Sequence, residues 1–193
     1  MLIPAENLTN VPVMSLQTGS ELARAAEPLI DPRNLTILAY ELSGPLLDDH
    51  PSYLRIADIR EVSNLGFIVD SSDEFVGLED IIKLKEVHDF GFKIAAITVV
   101  DERHHKLGKV HGYVIEAGSF VIQQLQIKRP LLRSLNDTEL LVNRSQIVNV
   151  TNDEITVKDA TAPPQAIQQT VRNYANPFRQ TKPQAEHIDT SES

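Results

Sequence analysis

The second half of this chain repeats the apolar pattern of the first, and that repeat constrains the fold more than any single motif. A displacement of 85 positions sets Leu22 on Leu107, Ile30 on Ile115, Asp31 on Glu116, Leu35 on Phe120, Ile37 on Ile122, Tyr40 on Leu125 and Leu42 on Ile127. After a short insertion the displacement becomes 88, and Leu54 meets Val142, Ile59 meets Ile147, Val62 meets Val150, Phe67 meets Ile155 and Val69 meets Val157. Few identities survive, but two constant offsets with one change between them are hard to obtain by chance. The repeat divides the chain into units at 1–88 and 89–161 and a tail at 162–193. Units this small have thin cores and gain from packing against one another.

Within each unit the pattern predicts short antiparallel strands. Val11 to Leu16 is β-rich and runs into the turn signal Thr18-Gly19-Ser20. Pro28 to Ile30 and Leu35 to Leu42 flank Asp31-Pro32-Arg33-Asn34, a hairpin turn in which Pro presets φ and Asp accepts backbone hydrogen bonds. Tyr113 to Glu116, Ala117-Gly118-Ser119 and Phe120 to Ile127 repeat that hairpin. Gly66 to Asp70 and Glu154 to Lys158 alternate as half-buried strands. Leu78 to Val87 reads as a helix with Glu79 and Asp80 in its first turn. Small units of short strands favour partly closed barrels, because closure removes exposed edges. The tail opens on Pro163-Pro164, places Ile167, Val171 and Tyr174 at helical spacing, and continues as a polar stretch expected to be disordered to Ser193.

Composition narrows the chemistry. The absence of cysteine excludes disulfides, thiol catalysis and cysteine-ligated zinc. No run approaches the roughly 18 apolar residues of a membrane span and the start does not read as a signal peptide, so a soluble cytoplasmic protein is the expectation. The net charge of −9 is carried by the first half, where residues 1–89 hold 16 acids against 6 bases. Such a surface repels nucleic acid and favours basic partners, and its charge contrast with the second half permits head-to-tail self-association.

The opening Leu2-Ile3-Pro4-Ala5-Glu6-Asn7-Leu8, followed by Val11-Pro12-Val13 and Thr18-Gly19, resembles the start of PRC-barrel domains. So do the hairpin from Leu29 to Tyr40 and the downstream Ala57-Asp58-Ile59-Arg60-Glu61-Val62. Lys106-Leu107-Gly108-Lys109-Val110 and Ser145-Gln146-Ile147-Val148-Asn149-Val150 look like a more divergent second copy. The resemblance spans about residues 1 to 160. It implies a mainly β chain of two tandem PRC-type β-barrels with short helices, and a non-catalytic, protein-binding style of function. The family is similar to the cytoplasmic barrel of the photosynthetic reaction-centre H subunit and to the C-terminal domain of a ribosome maturation factor. The chain shows neither the transmembrane helix of the first nor the RNA-binding barrel of the second, so neither role carries over.

Candidate contact residues lie in three places. Arg103, His104, His105 and Lys106 form a basic loop, expected either to touch an anionic partner or the acidic first unit, or to be solvated. Adjacent histidines among cations lack the spacing of a metal set, and no metal or cofactor is expected. Lys128 and Arg129 open a second basic segment, followed by Leu131 and Leu132, which lacks the aromatic interleaving of a nucleic-acid surface. In the tail, Tyr174, Asn176, Pro177, Phe178 and Arg179 either dock back on the barrels or insert into a partner as anchors. The acid pairs Asp48–Asp49, Asp73–Glu74 and Glu79–Asp80 read as solvated turn residues, and no phosphate loop, nucleophile elbow or HExxH motif occurs. The chain is therefore expected to be a protein-binding adaptor, with a ribosome- or RNA-associated assembly factor as the alternative.

Overall fold

Each half folds around a long hairpin whose turn is closed by a carboxylate. In the computed structural model, which describes residues 1–45, 47–129 and 139–158, the first hairpin joins β3 (Glu21–Asp31) to β4 (Thr36–Ser43). Asp31 Oδ1 accepts the Arg33 amide at 3.0 Å, and Asn34 Oδ1 accepts the Thr36 amide at 3.2 Å. The second hairpin joins β10 (Lys106–Glu116) to β11 (Val121–Lys128), strands of the same lengths displaced by the same 85 positions. There Glu116 accepts the Gly118 and Ser119 amides at 3.0 and 2.7 Å, and Ser119 Oγ accepts the Val121 amide. Both turns end on a large residue in left-handed backbone, Leu35 at φ 51° and Phe120 at φ 53°.

The remaining strands are β1 (Leu2–Pro4), β2 (Val11–Ser15), β5 (Ser52–Arg55), β6 (Glu61–Ser63), β7 (Gly66–Val69), β8 (Phe75–Gly77), β9 (Thr98–Asp101), β12 (Glu139–Asn143), β13 (Ile147–Val150) and β14 (Glu154–Val157). All belong to one hydrogen-bonded network whose path runs β13-β14-β9-β10-β11-β4-β3-β2-β7-β6 and does not close on itself among the described residues. In the first half β2, β3, β4 and β5 pair antiparallel in sequence, and β7 returns parallel to β2. In the second half β9, β10, β11 and β12 do the same, and β14 returns parallel to β9. The N-terminal β1 leaves its own half and pairs with β10, Leu2 opposite Glu116.

The halves meet where β4 runs antiparallel to β11 with Thr36 opposite Val121. Ile37 donates its amide to the Phe120 carbonyl at 3.0 Å, and Ile122 donates to the Leu35 carbonyl at 2.9 Å. Exchanging counterparts at the 85 displacement turns each bond into the other. Beneath this seam Phe120 reaches two aromatics of the first half, with its ring centroid 6.1 Å from Phe67 and 6.4 Å from Tyr40. One core cluster therefore holds Val13, Ile37 and Phe67 together with Ile122, Leu125 and Ile155.

The described residues hold a single α-helix, α1 (Ile82–Phe90), which starts four residues later than its apolar spacing suggests. Leu78–Asp80 is a 3-10 turn in which the Gly77 amide donates to Asp80 Oδ2 at 2.7 Å, and Ile81 is extended at φ −134°. The helix ends on Gly91 in left-handed backbone and buries Leu84 and Val87. No helix among the described residues is long and apolar enough to cross a membrane. The tail from 162 and the loop carrying Leu131 and Leu132 lie outside the described residues.

Hydrogen bonding from Ser119 and the Gly118 amide brings the Glu116 carboxyl from an ordinary 4.5 down to about 2. A depressed carboxylate stabilises the fold above its unfolded pKa and loses that contribution as pH falls through the folded value. Glu116→Gln should therefore lower the melting temperature at pH 7, with the gap to wild type closing between pH 4.5 and 2. Calorimetry across that range checks it. Phe120→Ala should cost about 3–5 kcal/mol in urea unfolding, the range for a buried aromatic truncated to Ala.

Candidate partner-binding cleft

β3 of one half and β10 of the other flank the seam strands β4 and β11, and residues of both, with the segments before β2 and β9, line one space. The result is an open cleft of about 650 Å³. Its lining comes from the 3-10 turn at Ala5–Leu8, from Ala26 to Ile30, from Phe92 to Ala95, from His111 to Tyr113, and from Gln126 and Glu139. Phe92, Ile94 and Ile30 are buried and supply an apolar base.

Polar groups line the upper walls. Glu6, Glu27 and Glu139 bring three carboxylates, answered by Lys93 and His111. Lys93 Nζ is paired with Glu27, and His111 Nε2 lies 3.2 Å from Glu139 Oε1. Glu6 has no cation within ion-pair distance among the described residues. Burial, with the Glu27 charge as a second cause, pushes the Tyr113 hydroxyl up to about 12, so it stays a neutral donor. Gly112 leaves room for the Gln126 side chain to lie over the strand, since a Cβ there would sit 2.2 Å from Gln126 Oε1. The cleft thus combines apolar base, excess carboxylate and neutral donors, a composition suited to a cationic, peptide-like chain.

The basic loop is organised for its own turn. Asp101, buried and paired with Val157 as Ser15 is with Val69, accepts the Arg103 and His105 amides through Oδ1, both at 2.8 Å. Its Oδ2 lies 2.9 Å from His105 Nδ1. Burial raises the Asp101 pKa, but these hydrogen bonds outweigh it and hold the carboxyl below its usual range. His104 takes left-handed backbone at φ 61°, where its counterpart is Gly19 at 68°, and its Nδ1 lies 3.7 Å from Glu154. Lys106 and Lys128 are exposed, and the strand register sets Lys109 opposite Lys128, which joins the two basic segments along one edge. Arg129 follows at the end of β11, half-buried.

Tyr174, Asn176, Pro177, Phe178 and Arg179 lie outside the described residues. Among the described residues no three His, Asp or Glu side chains converge as a metal set. The cleft residues escaped the sequence reading because they come from six separated segments; Gly112, one of two glycines inside β10, is the one local mark of the place.

A scan against protein-family models gives no match, and neither does a search of curated proteins.

Asp101→Ala removes the acceptor of both turn amides. Amide exchange at Arg103 and His105 should quicken by at least tenfold, while the turn at Asp31–Asn34 keeps its protection. Equal protection in variant and wild type would contradict this account of the turn.

Proposed function

We propose that this chain is a non-catalytic cytoplasmic adaptor of two tandem PRC-type barrel modules, and that it holds a basic, extended segment of a partner protein in the cleft between them. The cleft carries the reading: its walls come from opposite halves, so the seam that joins the halves also sets the spacing of Glu6, Glu27 and Glu139. A preset groove lowers the ordering cost of binding a flexible segment. The acidic first half draws such a segment in by long-range attraction. The module reading draws support from the matching hairpin lengths, the repeated pairing order and the exchangeable seam bonds.

Affinity capture from the native host tests this, comparing wild type with Glu27→Lys/Glu139→Lys, each with and without ribonuclease. A discrete set of proteins should survive ribonuclease and fall about tenfold in the variant, the effect of about 1.4 kcal/mol of lost binding. Equal recovery by both forms would remove the cleft from the reading. Ribosomal proteins that leave on ribonuclease treatment would favour an assembly factor instead.

A further inference from the structure

A second concavity, of about 460 Å³, opens where the first hairpin turn meets β13. The turn from Pro32 to Leu35 forms one wall, and Arg144 with β13 forms the other, so this space too exists only once the halves have docked. Among the described residues its walls hold Arg33, Arg144, Asn34 and Asn149 and no acid. Arg24, Arg33, Arg55 and Arg60 each hold a carboxylate, whereas Arg144 has none within ion-pair distance among the described residues. Arg144 is half-buried, and its Nη1 donates one long bond to the Ile122 carbonyl at 3.4 Å. A guanidinium that has lost part of its water without a counter-ion gains from an anion seated on it.

The repeat does not supply this pair twice. The 88 displacement answers Arg144 with Ile56 and Val148 with Arg60, and the 85 displacement answers Arg33 with Gly118. Arg60 is closed by Asp70, so the mirror place holds no unanswered guanidinium. Arg33 donates through Nε and Nη2 to Asp31 at 2.9 and 3.0 Å, which fixes its plane and leaves Nη1 without an acceptor among the described residues. Glu86 lines a separate hollow on the other side of Arg33 and not these walls. Arg144 therefore supplies one uncompensated charge, which suits a carboxylate better than a doubly charged phosphate. β13 pairs only with β14 among the described residues, so its other edge is open, and Val148 on it is 50% exposed. An open edge of this kind accepts an extended chain as an added strand.

We propose that this concavity binds an extended acidic peptide, which adds along the open edge of β13 and seats one Asp or Glu carboxylate between Arg144 and Arg33. Val148 offers the peptide's apolar side chains a surface, and Asn34 and Asn149 offer amide donors. Residues 90–161 hold 9 bases against 8 acids, so the second half does not repel such a peptide as the acidic first half does. The site takes the opposite charge from the cleft and shares no residue with it, so it stands or falls apart from the adaptor reading.

A capped peptide of alternating valine and glutamate, titrated into the isotope-labelled full-length chain, should shift the amide resonances of Val148 and Val150. It should bind Arg144→Gln about tenfold more weakly, the scale of one lost charge-assisted hydrogen bond. Glutamine in place of glutamate in the peptide should cost a similar factor against wild type and nothing further against Arg144→Gln, because both changes remove the same contact. The peptide exchange alters nothing in the protein, so it tests the site whether or not the variant keeps its fold. Equal binding of the glutamate and glutamine peptides to wild type would overturn the proposal, and so would shifts confined to Glu27 and Tyr113 in the cleft. Inorganic phosphate that moves the same amides at a lower concentration than the peptide would also overturn it, by marking a small-anion site instead.

Discussion

The structure depends on the reciprocal pair of hydrogen bonds between β4 and β11 and on the Phe120 ring beneath them. An antiparallel contact between counterpart residues satisfies both strands at once, since the same donor and acceptor recur on each side. It also sets Leu35 and Phe120 in left-handed backbone, which costs roughly 1–2 kcal/mol for a non-glycine residue. Both side chains are 3% exposed, and full burial of an apolar side chain contributes about 1.5–3 kcal/mol. The turn conformation is therefore sustained by the partner half: without Tyr40 and Phe67 to receive it, Phe120 would have little reason to hold that backbone.

From the seam follow the shared core and the cleft. Two thin cores become one when aromatics cross the boundary, which raises the buried fraction beyond what either half reaches alone. β1 reinforces the join by pairing with the opposite half, Leu2 opposite Glu116. The cleft is the space left on the flank of this join.

Much of the fold was legible in the sequence because the repeat preserves alternation where strands are half-buried. The 85 displacement follows β3 onto β10 and β4 onto β11, and Asp31-Pro32-Arg33-Asn34 and Ala117-Gly118-Ser119 marked both turns, although β3 and β10 begin at Glu21 and Lys106, well before the stretches from Pro28 and Tyr113 that read as strand. Long-range choices were not legible. Nothing local in Gly66–Val69 says that it runs parallel to β2, and nothing in Leu2–Pro4 says that it crosses to β10. The helix start was misplaced because the apolar spacing of Leu78 and Ile81 fits a 3-10 turn as well as an α-helix, and the Asp80 bond to Gly77 decides between them. The basic loop was read by its charge, whereas Asp101 organises it through backbone amides that sequence does not display. The cleft was hidden for the same reason as the seam: its residues are neighbours only after both halves have docked.

Divergence between the halves is where function has room to settle. The positions that hold the two hairpins together keep their chemistry, as Ile37 and Ile122 or Asp31 and Glu116 do. The positions that face outward do not: Ala39 answers to Gln124, Tyr53 to Leu141, and Glu27 to Gly112. The shared core keeps apolar side chains at matching positions even where their size changes, as at Leu35 and Phe120 or Tyr40 and Leu125, while the outer faces change in chemistry. The first half has taken α1 as its cover, and the Glu27–Gly112 difference gives the cleft a carboxylate on one wall and open space for Gln126 on the other. The asymmetry that gives the cleft two unlike walls is thus the same asymmetry that lets one sequence pattern serve two different surfaces.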